Sequence, residues 1–208
     1  MRLGLFGGSF DPPHVGHLSV AEQAREALAL DRVLFVPAPR PPHKPDAHLS
    51  AVADRLEMVR AAIAGNPAFA ASDAESGRPG PSFTAETLAA LAGAHPAAEL
   101  FCLVGSDTAV ALHTWHDRPR LFAMATFAVL LRPGWPEARL AAWLEAQPAA
   151  LRPRLAVVRV PGLDISATEV RARVAAGRSI RYLVPDAVAA IIASRGLYRE
   201  EAVARDGT

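Results

Sequence analysis

Short runs of consecutive apolar residues alternate along the chain with longer stretches in which apolar positions recur every three or four residues. The runs predict strands at Leu3–Phe6, Val33–Val36, Phe69–Ala71, Leu100–Val104, Phe127–Leu131 and Leu155–Val160. The longer stretches predict helices over 15–28, 51–64, 84–92, 137–146, 167–175 and 186–194. A strand with no polar face is buried on both sides, and a helix between two such strands makes them parallel. The expected fold is therefore α/β, a doubly wound Rossmann-like parallel sheet with helices on both faces and a small C-terminal helical part. One domain over residues 1–198 accounts for the rhythm, and the polar stretch 199–208 is expected to fray. No internal repeat interrupts it. Pro37 to Pro45 is too rich in proline for regular structure and predicts a stiff loop.

Composition narrows the class. A chain of 208 residues with 51% hydrophobic and 21% charged residues suits a single globular domain with a substantial core. A formal net charge of +1 argues against a general nucleic-acid surface, which needs a strong basic excess. The single cysteine, Cys102, lies inside Leu100–Val104 and reads as a small buried side chain, and one cysteine excludes an internal disulfide. The longest apolar stretch, Leu121 to Leu131, is too short to cross a bilayer. The apolar start after Arg2 is broken by glycines and Asp11 too early for a signal peptide. A cytoplasmic protein with no membrane and no nucleic-acid partner is expected. Glu22, Arg25 and Glu26 read as a solvated helix face, and Trp135 and Trp143 as packing residues.

Chemistry concentrates where the strands end. Gly7-Gly8-Ser9-Phe10-Asp11-Pro12-Pro13-His14-Val15-Gly16-His17 joins the first strand to the first helix. A helix start offers unpaired N–H groups and a positive dipole end, which suits an anion. His14 and His17, three residues apart, face the same way. They are open to three readings: a metal pair with His43 as a further ligand, an acid/base or phosphate-binding pair, or surface residues. Asp11 reads equally as a turn residue and as a ligand. Other strand ends carry Pro41-Pro42-His43-Lys44, Gly105-Ser106-Asp107, Arg132-Pro133-Gly134 and Ile165-Ser166-Ala167-Thr168, with Ser166 a natural N-cap. In open α/β sheets ligands bind at these carboxyl ends. Neither G-x-x-x-x-G-K-[ST] nor G-x-G-x-x-G is present, so Walker-type and hydride-transfer sites are unsupported.

The amino-terminal G-G-S-F-D-P-x-H-x-G-H resembles the signature of the nucleotidyltransferase superfamily with an H-x-G-H motif, in the form found in bacterial nicotinate-mononucleotide adenylyltransferases. Pro81-Ser82-Phe83-Thr84, Thr114-Trp115 and Ile165-Ser166-Ala167-Thr168 with Arg171 are similar to further segments of that family, in its order. The resemblance runs from Arg2 to about Tyr198. It implies transfer of the adenylyl group of ATP to nicotinate mononucleotide, giving nicotinate adenine dinucleotide and pyrophosphate in NAD biosynthesis. ATP and nicotinate mononucleotide are then the partners, with Mg²⁺ as the cofactor accompanying ATP on no firm protein ligand. By the family's pattern His17 meets the α-phosphate, His14 holds phosphates beside it, and Lys44 supplies a mobile cation to the phosphates of either substrate. Gly7, Gly8, Ser9, Phe10, Gly105, Asp107, Arg132, Ser166, Thr168 and Arg171 complete the ATP site, with Gly105 and Asp107 near the ribose. Trp115 is the platform for the pyridine ring, with packing in the core as its alternative. Ser82, Thr84 and His116 lie beside it, His116 standing where tyrosine is common.

Rival readings are another member of the superfamily, acting on nicotinamide mononucleotide, phosphopantetheine or a cytidine nucleotide, and a non-catalytic nucleotide sensor. The sequence leaves the choice of acid or amide acceptor and the oligomeric state open.

Overall fold

The structure, a computed structural model, describes residues 1–39, 49–77, 80, 83–131 and 134–199. Among the described residues the predicted strands form one sheet: β1 (Arg2–Gly8), β2 (Arg32–Pro37), β3 (Phe69–Ala71), β4 (Glu99–Gly105), β5 (Ala125–Leu131) and β6 (Leu155–Arg159). Their order is β3-β2-β1-β4-β5-β6, and every pairing is parallel. Leu5 sits at the centre, opposite Leu34 on one side and Cys102 on the other. The chain runs outward from β1 to β3 and then returns to lay β4 on the other flank of β1. That reversal opens a crevice at the carboxyl ends of β1 and β4, where ligands of such sheets bind.

The helices are α1 (Val15–Ala27), α2 (Val52–Ile63), α3 (Thr84–Ala94), α4 (Ser106–Ala109), α5 (Arg118–Met124), α6 (Glu137–Glu145), α7 (Ala167–Ala175) and α8 (Asp186–Arg195). Two apolar layers explain the unbroken hydrophobic runs. Leu34, Val36, Leu100, Cys102, Val104, Phe127 and Val129 pack with Leu88 and Leu91 of α3 and Leu121 and Phe122 of α5. Their sequence neighbours Val33, Phe35, Phe101, Leu103, Ala128 and Leu130 pack with Val20 and Ala24 of α1 and Val59 and Ile63 of α2. Successive strand residues point to opposite faces, so both faces need apolar side chains. Trp135 and Trp143 pack against the first layer as expected.

The C-terminal part is a third cluster, in which Val170, Val184, Val188 and Ile192 close over Met58 of α2. Arg195 of α8 pairs with Asp54 and Glu57 of α2, an exposed link that adds little beside the apolar contact. On α1 the expected Glu22–Arg25 pair forms at 2.6 Å.

Two expectations need correction. No helix is predicted ahead of the fifth strand, yet Arg118–Met124 forms α5 and β5 starts directly at Ala125, because burial on both sides of the join removes the periodicity there. The last strand stops at Arg159, although Val160 N–H still donates to Leu131 O at 3.0 Å. Of the expected Pro37–Pro45 loop, Pro37 belongs to β2, and residues 40–45 lie outside the described residues. The tail expected to fray, 199–208, lies outside them after Arg199. Among the described residues no helix is long and apolar enough to cross a membrane.

Candidate active site

The turn after β1 is built around two buried rings. Phe10 adopts φ +47°, a region bulky residues avoid, and is 2% exposed. Its ring lies so close to Gly8 that a Cβ there would stand 3.1 Å from it and would push the ring aside. A Cβ at Gly7 would meet nothing within 4 Å, which leaves the backbone open towards the crevice. His14 is the N-cap of α1 and is buried, 6% exposed. Its ring stacks on His17 with centroids 3.6 Å apart. A Cβ at Gly16 would sit 3.0 Å from His14 Nδ1, so the glycine of H-x-G-H is what leaves room for the first histidine.

His14 N–H donates to His17 Nδ1 at 3.2 Å. A neutral His17 therefore carries its proton on Nε2, as a donor. Its ring is wedged edge-on against Phe10 and Phe6, at 5.1 and 6.2 Å. The donors expected at the helix start are partly used within the chain, since Val15 N–H donates to Leu183 O at 2.9 Å.

A cavity of about 560 Å³ spans the ends of β1 and β4, a volume suited to a small-molecule ligand. Of the predicted site residues, Gly7, Gly8, Ser9, Phe10, His17, Thr84, Gly105, Asp107, Trp115 and His116 line it. The glycine-histidine turn and the Trp115 segment thus share one cavity. His116 lies against Phe83 with ring centroids 4.5 Å apart. Trp115 closes the short turn Leu112–Thr114 and meets Phe127 edge-on at 6.1 Å. It is therefore anchored in the core while lining the cavity. Lys44, Arg132, Ser82 and His43 lie outside the described residues.

Ser166, Thr168 and Arg171 do not line the cavity, and Arg171 ties α7 to the turn beside it. Arg171 donates to the Asp11 carbonyl at 2.7 Å and to Thr168 Oγ1 at 3.3 Å. Ser166 caps α7 by accepting the Glu169 N–H at 3.1 Å. Ser166→Ala is expected to cost about 1 kcal/mol, read as a lower unfolding midpoint in urea with unchanged slope.

Sequence reasoning missed Arg55, Glu75 and Tyr198. Glu75, 7% exposed, lines the cavity and accepts from Thr87 Oγ1 at 2.6 Å. Burial and the nearby Glu75 charge push the Cys102 thiol up to about 12, so it stays protonated and is a packing residue. Asp11 is 1% exposed, and its carboxylate accepts from Ser50 N–H at 3.1 Å and Tyr198 OH at 2.6 Å. Asp11 thus joins the turn to segments 39 and 187 positions away. An arginine within an amphipathic helix and a tyrosine near a terminus carry no local signal of such partners. Among the described residues no three of His, Cys, Asp and Glu cluster as metal ligands.

The model of the cytidylyltransferase-like family matches residues 5–173. A Thermomicrobium roseum protein named "Probable nicotinate-nucleotide adenylyltransferase" is 48% identical over 198 residues, covering 95% of this chain and 92% of its own length. A Thermus thermophilus protein of the same name is 48% identical over 200 residues, covering 96% of this chain and 100% of its own. The fold also matches a solved Plasmodium falciparum nicotinic acid mononucleotide adenylyltransferase complexed with NaAD. Its TM-score is 0.76 at 19% identity, over 95% of this chain and 97% of that one.

Proposed function

The chain belongs to the cytidylyltransferase-like family and, within it, to the nicotinate-nucleotide adenylyltransferases, and from that membership we propose that it adenylylates nicotinate mononucleotide with ATP. A phosphate oxygen of nicotinate mononucleotide attacks the α-phosphorus of ATP. The bond from that phosphorus to the bridging oxygen of the β-phosphate breaks, and pyrophosphate leaves. The product is nicotinate adenine dinucleotide, a precursor in NAD biosynthesis.

The nucleophile is already an anion at neutral pH, so no general base is needed. The work lies in bringing two anions into line and stabilising charge on the transferring group. His17 is suited to that task, because the His14 amide holds its ring and leaves Nε2–H as a fixed donor in the cavity. Open backbone at Gly7 admits phosphate oxygens, and Asp107 and Gly105 on the opposite wall suit the ribose. Trp115 offers its face to the pyridine ring, beside Thr84 and the Phe83–His116 pair. Lys44, Arg132, Ser82, Ser166, Thr168 and Arg171 complete the assignment by resemblance, with His14 behind His17. Mg²⁺ would travel with ATP on phosphate oxygens and water, with no protein carboxylate assigned to it, and would neutralise charge on the leaving pyrophosphate. The proposed enzyme is a single domain over 1–198 working in the cytoplasm.

The observation that carries this reading is that His17 and Trp115 line the same cavity at the β1/β4 switch point. The test is pyrophosphate release from ATP and Mg²⁺ with nicotinate mononucleotide, nicotinamide mononucleotide or phosphopantetheine as acceptor. The expected result is the highest kcat/KM with the nicotinate acceptor. No release with it, or a higher kcat/KM with either rival, would overturn the assignment.

A further inference from the structure

Beneath the phosphate turn lies a buried charged group that the chemistry above does not use. Arg55 of α2 is 1% exposed. Its Nε donates to Ser50 O at 2.9 Å, and one terminal nitrogen donates to Ser9 O at 2.6 Å and to Ala38 O at 2.9 Å. The three carbonyls belong to the turn after β1, the exit of β2 and the segment entering α2. Asp11 lies beside the guanidinium, and its carboxylate ties Ser50 N–H to the Tyr198 hydroxyl. Tyr198 is 187 residues away in sequence and itself adopts φ +63°.

We propose that Arg55, Asp11 and Tyr198 are positioning residues that set the turn carrying His14 and His17 against the cavity wall. This rests on the adenylyl-transfer reading above. Ser9 and Ala38, whose carbonyls Arg55 holds, both line the cavity, so the grip acts directly on its walls. Burial works against the charge on Arg55, with Asp11 and Tyr198 opposing that effect. An apolar side chain would pack α2 at lower desolvation cost. What it could not do is hold three carbonyls from separate segments in one plane, as a guanidinium does. In-line phosphoryl transfer is sensitive to such placement, since a misplacement of about 1 Å can cost about 100-fold. Tyr198, beyond the end of α8, extends the grip to the C-terminal part, whose α7–α8 connection already accepts the Val15 N–H through Leu183 O.

The test uses Tyr198→Phe, which removes one hydroxyl and keeps the ring, together with Arg55→Lys. Both are assayed well below their unfolding temperatures, with kcat referred to the folded fraction. We expect kcat to fall about 10–100-fold in each, with KM for nicotinate mononucleotide changed less than about twofold and no rescue by lysine. The imidazole nitrogen resonances of His14 and His17 should shift in Tyr198→Phe. A lower unfolding temperature with unchanged kcat and unchanged imidazole signals would show a purely structural role and overturn the proposal. If the wild-type protein fails to turn over nicotinate mononucleotide, the functional reading falls, and the imidazole signals still decide the positioning role. Should Arg55→Lys fail to fold, Tyr198→Phe alone carries the test.

Discussion

His17→Ala is expected to lower kcat about 10²–10³-fold while the Kd for ATP rises by less than about tenfold. The asymmetry follows from where the donor acts. In the proposed mode, ground-state ATP has many anchors along the turn and the opposite wall, whereas charge develops on the transferring group only as the bond to pyrophosphate breaks. The Nε2–H of His17 is pre-oriented for that moment, because its Nδ1 already accepts the His14 amide and its ring is stacked on His14. Such a donor needs no reorganisation during the reaction. Single-turnover rates and equilibrium ATP binding, measured on protein with wild-type circular dichroism, separate the two quantities. Equal losses in binding and rate would assign His17 to uniform substrate binding.

The second large effect is expected at Trp115. Replacing it by alanine should raise KM for nicotinate mononucleotide about 5–150-fold, the range that follows from losing about 1–3 kcal/mol of stacking. KM for ATP should change by less than about twofold. Trp115 also meets Phe127, so the variant loses stability through the gap it leaves beside β5. Trp115→Phe distinguishes the two contributions, since a smaller ring still stacks and still fills part of that space. It should recover most of the acceptor KM. A fall in unfolding temperature with unchanged acceptor KM would make Trp115 a core residue only.

Much of the site was legible because its signals are local. The glycines of the turn and of H-x-G-H answer contacts within a few residues: Gly8 against the Phe10 ring, and Gly16 beside the His14 ring. Ser166 caps the helix that begins one residue later. What stayed hidden was of two kinds. Arg55 and Glu75 look like solvated helix and loop charges, yet are buried because their partners arrive from other segments. The start of the expected anion site was overestimated for the same reason, since Leu183 O takes the Val15 N–H from a distant turn. The join of α5 and β5 at Met124 and Ala125 was hidden because burial on all sides erases the periodicity that separates helix from strand.

The sequence by itself determined the alternation of strands and helices, the two-sided burial of the sheet and the glycine positions of the turn after β1. Each depends on side-chain periodicity or on sterics within about one helical turn. Only the tertiary structure decided that β4 lies against β1, so that His17 and Trp115 share a cavity, and that Arg55, Asp11 and Tyr198 meet beneath it. Those pairings join residues tens to nearly two hundred positions apart. Local preference does not act over such separations, and the partners are chosen by packing two apolar layers onto one sheet.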